Sequence, residues 1–177
     1  MKKTVFTFGL FSGLVSAGMM VISLPFLSNG SLDFKTGEIL GYTTIVLSFI
    51  MVYFGMRSYR DNQLGGTISY GKAFQVGILI TLVSCLLYVI VWEIIYFGFQ
   101  PDFGANYSAY MIAEAKKSGA SPQEIARQIE EGKKMMEMYN NPFINAAITF
   151  MEPFPIGAIM TAISAFFVRT RPKAVVS

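Results

Sequence analysis

Two glutamates, Glu93 and Glu152, stand inside long apolar stretches of this 177-residue chain and are the residues best placed to do chemistry. Counted inward from the ends of their stretches at helical rise, they fall roughly 9 to 14 Å deep, in the same half of the apolar layer. A carboxylate at that depth is costly to keep charged without a partner, so at least one of the two is expected to carry a proton or hold a cation. Asn145, Thr149 and Glu152 recur at the spacing of one helix face. Pro153 and Pro155 follow at once, a kink signal, because proline cannot donate the bond that would occupy the carbonyl four residues earlier. Glu93, Glu152, Asn145 and Thr149 thus make a candidate ion or proton site beside a proline-broken helix, a device used by transporters. The competing reading is a kinked structural helix whose Glu152 simply bonds a nearby hydroxyl or amide.

Other familiar chemistry is excluded. The chain has no histidine and a single cysteine, Cys85, so a Ser-His-Asp triad, a Cys-His pair, an HExxH zinc site and any internal disulfide cannot be built. No catalytic residues, metal ligands or cofactor are expected.

Four apolar elements must position the two acids: residues 4–27, 37–56, 73–99 and 143–168. Each reaches the roughly 20 residues needed to cross about 30 Å of hydrocarbon. The chain is 53% hydrophobic and 14% charged, too few charges to cover a soluble globule of this size. Its net charge of +3 does not point to nucleic acid, because the basic residues flank the apolar stretches and form no separate stripe. Met1-Lys2-Lys3 before an apolar segment also resembles a secretory signal, but the apolar character continues unbroken to Leu27, as an uncleaved span requires. The expected fold is all-α: one integral membrane domain over 1–177, a four-helix bundle with a small extracytoplasmic helical hairpin between spans three and four.

Orientation follows from the basic residues. Lys2 and Lys3 precede span one, Arg57, Arg60 and Lys72 bracket the connection between spans two and three, and Arg169, Arg171 and Lys173 follow span four. The positive-inside rule places these regions, and both termini, in the cytoplasm. The segment 100–142 then lies outside, with its own mixed charges. There Ser121-Pro122-Gln123-Glu124 spells a capping box with proline at the first helical position, predicting a helix to about Tyr139 with Ile125, Ile129, Met136 and Tyr139 on one face. A shorter helix is expected over 107–117, and Asn140-Asn141-Pro142 ends the hairpin.

Gly9, Gly13 and Ala17 repeat every fourth residue, and Gly157, Thr161 and Ala165 repeat the pattern in span four. Such small residues let helix backbones approach closely, either within one bundle or along a homodimer seam. Trp92, Tyr96, Phe97 and Phe99 at the outer end of span three suggest an interfacial aromatic belt. The segment Gly66 to Lys72 has the spacing of a phosphate loop, but Ala73 stands where the magnesium-binding hydroxyl belongs and no strand precedes it. A glycine turn at Gly65-Gly66 and a cap from Thr67 or Ser69 explain it better.

The string Ile68-Ser69-Tyr70-Gly71-Lys72-Ala73-Phe74 entering a span carries a resemblance. With four spans, a long helical segment before the last, and the closing Pro155-Ile156-Gly157 to Arg169 stretch, the chain resembles the bacterial domain-of-unknown-function family 4199 over nearly its whole length. The resemblance implies a bacterial inner-membrane protein and brings no assigned activity, substrate or site residue. Two functions remain open: a non-enzymatic subunit that associates with itself or with a membrane-protein partner in the lipid bilayer, and a small proton- or cation-coupled transporter component using Glu93 and Glu152.

Overall fold

The computed structural model describes residues 1–100 and 102–170; Arg171 and Lys173 lie outside them. Among the described residues the regular elements are helices: α1 (Lys2–Ser28), α2 (Phe34–Ser48), α3 (Ile50–Gln63), α4 (Tyr70–Gly98), α5 (Phe103–Lys117), α6 (Pro122–Tyr139), α7 (Pro142–Met151) and α8 (Pro153–Val168). Four segments are long and apolar enough to cross a bilayer: Lys2–Ser28, Phe34–Gln63, Tyr70–Gly98 and Pro142–Val168. This is the pattern of a multi-pass membrane protein.

Two of those segments are broken. The second divides at Phe49, whose ψ of −4° departs from helix. Just before it the Thr44 hydroxyl donates to the Leu40 carbonyl at 2.7 Å and the Ser48 hydroxyl to the Ile45 carbonyl at 2.8 Å. Side-chain donors competing for helix carbonyls bend helices in this way. The fourth divides at Glu152, as the two prolines predict. The second segment also runs seven residues past its expected end at Met56, through Arg57, Arg60 and Asp61 to Gln63. Charge does not stop a helix, and an i,i+4 contact of 3.6 Å between Arg57 and Asp61 supports it. The chain turns only at Gly65 and Gly66, whose φ values of 63° and 89° suit glycine.

The described residues gather into two compact units, one comprising residues 1–88 and 150–170, the other residues 89–149. In the first, α1 packs on α2 and α3, while α8 packs on α3 and α2. Phe49, Val52, Met56, Val76 and Ile80 fill its centre. One end is tied by polar contacts between residues distant in sequence. The Met1 ammonium donates to Gln63, and Gln63 donates to the Thr4 hydroxyl at 2.6 Å. Arg60 donates to the Val168 carbonyl at 3.0 Å, and Thr170 exchanges bonds with Ile68. The string from Ile68 is therefore a clasp: Ile68 is buried, its backbone holds Thr170, and the Ser69 hydroxyl accepts the Lys72 N–H at 3.3 Å, capping α4.

The second unit contains the helical hairpin α5–α6. Its capping box forms as the sequence requires: the Ser121 N–H donates to Glu124 Oε2 at 2.8 Å and the Glu124 N–H donates to Ser121 Oγ at 3.2 Å. The Ser121 backbone and hydroxyl donors hold the Glu124 carboxyl below its ordinary range. The half-buried face of α6 is Ile125, Gln128, Gly132, Met136 and Tyr139, with Ile129 turned outward. Gly132 explains the rotation: a Cβ there would stand 2.8 Å from Ser108 Oγ of α5, so this position must face its partner helix.

Candidate functional site

In the second unit the polar centre is an amide. Asn145 Oδ1 accepts from the Trp92 indole N–H at 3.0 Å and from the Thr149 hydroxyl at 3.2 Å, while Asn145 Nδ2 donates to the Tyr139 carbonyl at 3.1 Å. The side chains of Asn145 and Thr149 are buried. Both lone pairs of the amide oxygen are occupied by protein donors. The amide joins α4, α7 and the end of α6, with Thr149 one turn along α7. Aromatic rings surround it: Phe103 meets Trp92 edge-on at 5.1 Å, and Tyr139 meets Tyr96 edge-on at 5.5 Å. Trp92 and Tyr96 are consequently interior residues, and of the expected aromatic belt Phe97 and Phe99 are the members exposed.

Glu93 follows Trp92 on α4 and is half-buried. Its Oε1 is buried and, among the described residues, has no hydrogen-bond partner. An acceptor without a donor is costly in such a place. A hydrogen-bond donor or a cation beside it would satisfy it.

Glu152 lies in the first unit, at the break between α7 and α8, and is exposed. Its Oε2 accepts from the Tyr88 hydroxyl at 3.4 Å. Glu38 of α2 is within its electrostatic reach, and Tyr42 of α2 within reach of both acids. The structure thus groups Glu152 with Tyr88, Tyr42 and Glu38, and groups Asn145 and Thr149 with Trp92. Glu38 lies inside the apolar stretch 37–56, one helical turn from Tyr42, and that i,i+4 polar pair is the signal in the sequence that marks it.

The small residues of the first unit are occupied within the chain. A Cβ on Gly9 would lie 2.7 Å from Val83 of α4, and one on Gly13 would lie 3.0 Å from Leu87. Ala17 on the same stripe is buried. Gly157 of α8 seats Phe49 and Thr81, which a Cβ would meet at 2.7 and 2.5 Å. Hydroxyl pairs accompany these contacts, Ser84 to Ser12 at 3.0 Å and Thr81 to Thr161 at 3.0 Å. Gly77 of α4, facing Met56, Thr161 and Val52, belongs to the same system and is not part of either small-residue repeat. Among the described residues no three acidic or cysteine side chains gather as metal ligands would.

Comparison with known proteins gives one family. A family model described as "Protein of unknown function (DUF4199)" matches residues 7–170. No curated protein matches the chain. No solved structure matches it either.

Proposed function

Because the chain belongs to DUF4199, a family of unknown function, we propose from its own geometry that it is a non-enzymatic inner-membrane subunit that binds a protein partner through its hairpin. The observation that carries this reading is apolar exposure outside the four spans: Met111, Ile129, Met135 and Met138 of α5 and α6 are exposed. Methionines present adaptable apolar surface suited to a protein partner. A bacterial inner membrane is the setting that the family resemblance implies. Basic residues support the orientation, since Lys2, Lys3, Arg57, Arg60, Lys72 and Arg169 lie at or beside the span ends tied together in the first unit. Both termini are then cytoplasmic and the hairpin is extracytoplasmic. Photo-crosslinking from positions 135 and 138 in native membranes tests the reading. An adduct of one defined mass from position 135, lost when Met138→Lys and Ile129→Lys are added, supports it; no adduct above that of a lipid-facing position such as Phe167 refutes it.

A second reading is favoured by the unpartnered Glu93 oxygen: a proton- or cation-coupled transporter component using Glu93 and Glu152. Ion flux in liposomes decides it. Flux abolished by Glu93→Gln and Glu152→Gln supports transport, and flux unchanged by both removes the carboxylate site.

A further inference from the structure

Glu152 is exposed roughly 15 Å from the Pro142 end of a segment able to span the bilayer. Its hydrogen bond from Tyr88 is 3.4 Å long, near the limit for such a contact. Among the described residues no lysine or arginine pairs with it. Nearby on the same unit, Tyr42 is 51% exposed, Met151 is 60% exposed and Glu38 is exposed. The α2 flank that carries Glu38 and Tyr42 otherwise shows apolar side chains such as Ile39 and Val46. This is an acidic, tyrosine-bearing patch on a surface that is otherwise lipid-compatible.

Acyl chains offer such a patch nothing, and an exposed carboxylate in hydrocarbon is expensive. A second copy docked by the same face would bring like charges together, which disfavours that contact. Charge complementarity selects a different occupant. We propose that the flank formed by Glu38, Tyr42 and Glu152, the last held by the half-buried Tyr88 hydroxyl, is a lateral docking face for a membrane-spanning helix of a partner protein that carries a lysine or arginine at the depth of Glu152. This rests on the partner-binding reading above and adds a contact inside the bilayer to the one at the hairpin. The basic residue of such a helix is itself costly to leave unpaired in lipid, so each side supplies what the other lacks.

The test uses the full-length chain in phosphatidylcholine liposomes and synthetic leucine-alanine helices as probes, with association read by energy transfer. One helix carries a single lysine at the depth of Glu152, a second has leucine there, and a third has the lysine moved two turns toward the opposite membrane face. The matched lysine helix is expected to associate about tenfold more tightly than the other two. Glu152→Gln should reduce it to the leucine level while thermal unfolding stays as in the wild type. Equal association of all three helices with the wild-type chain overturns the proposal, and this comparison needs no variant to fold. A lysine preference that survives in folded Glu152→Gln overturns it as well. These liposomes contain no native partner, so failure here removes the lateral face and leaves the hairpin reading to its crosslink. Absence of the crosslink removes the hairpin contact and leaves this result standing.

Discussion

In the unit built from residues 1–88 and 150–170, buried polar side chains are small and meet in pairs, Ser12 with Ser84 and Thr81 with Thr161, beside Gly9, Gly13, Gly77 and Gly157. In the unit Val89–Thr149, one amide gathers donors from Trp92 and Thr149 within a shell of aromatic rings. The first arrangement depends on space and the second on satisfaction of a single group. A bundle closed by glycines fails when an atom is added. A bundle closed around an amide fails when an atom is removed, because the groups left behind have no water to turn to.

The largest effect is expected from adding bulk to the first unit. Gly157→Val would drive a side chain into Thr81 and the Phe49 ring, and overpacking of this kind costs about 3 kcal/mol. Denaturant unfolding in detergent micelles checks it, and a change below about 1 kcal/mol would mean that the helices can separate freely. Next comes the amide. Asn145→Ala removes the acceptor of the Trp92 indole N–H and the amide donor to the Tyr139 carbonyl and should cost about 2 kcal/mol, with Trp92 fluorescence reporting the changed environment. An unchanged emission maximum would argue that Trp92 does not rely on Asn145.

A smaller loss, about 1 kcal/mol and confined to the hairpin, is expected from Ser121→Ala, read by hydrogen exchange across α6. The same cap responds to pH. Because Glu124 titrates lower in the folded hairpin than in the unfolded chain, its contribution is fully present above the ordinary glutamate value and is lost as pH falls through the lowered one. Protection factors in α6, corrected for the intrinsic slowing of exchange by acid, should therefore fall on acidification in the wild type and change less in Glu124→Gln. The smallest effect belongs to a hydroxyl pair: Ser12→Ala should cost about 0.6 kcal/mol, the usual worth of a polar contact between membrane helices. A loss as large as that of Asn145→Ala would erase the distinction between the two units.

The hairpin shows how local signals become legible. Ser121, Pro122 and Glu124 announce their helix through contacts within three residues, and the structure ends that helix at Tyr139 as expected. Proline at 153 and 155 announces its break in the same local way. The face of α6 was harder to read, because Gly132 acts through Ser108 on another helix. Trp92 and Tyr96 had the composition of an interfacial belt, yet Asn145 and Tyr139, far along the chain, draw them inward. Glu152 with Glu38 was likewise invisible, since the rotation of each span about its axis is set by packing against neighbours and not by its own hydropathy.

Sequence alone determined that this is a helical membrane chain with four spans, which of them breaks at proline, and that histidine and cysteine-pair chemistry are out of reach. Those properties depend on residue type and on spacing within one helix. Only the tertiary structure decided which small residues meet which helix, that Asn145 and Thr149 are committed to Trp92, and that Glu152 keeps company with Tyr88, Tyr42 and Glu38. Those properties depend on how each helix is turned toward the others, which close packing between side chains distant in the chain fixes.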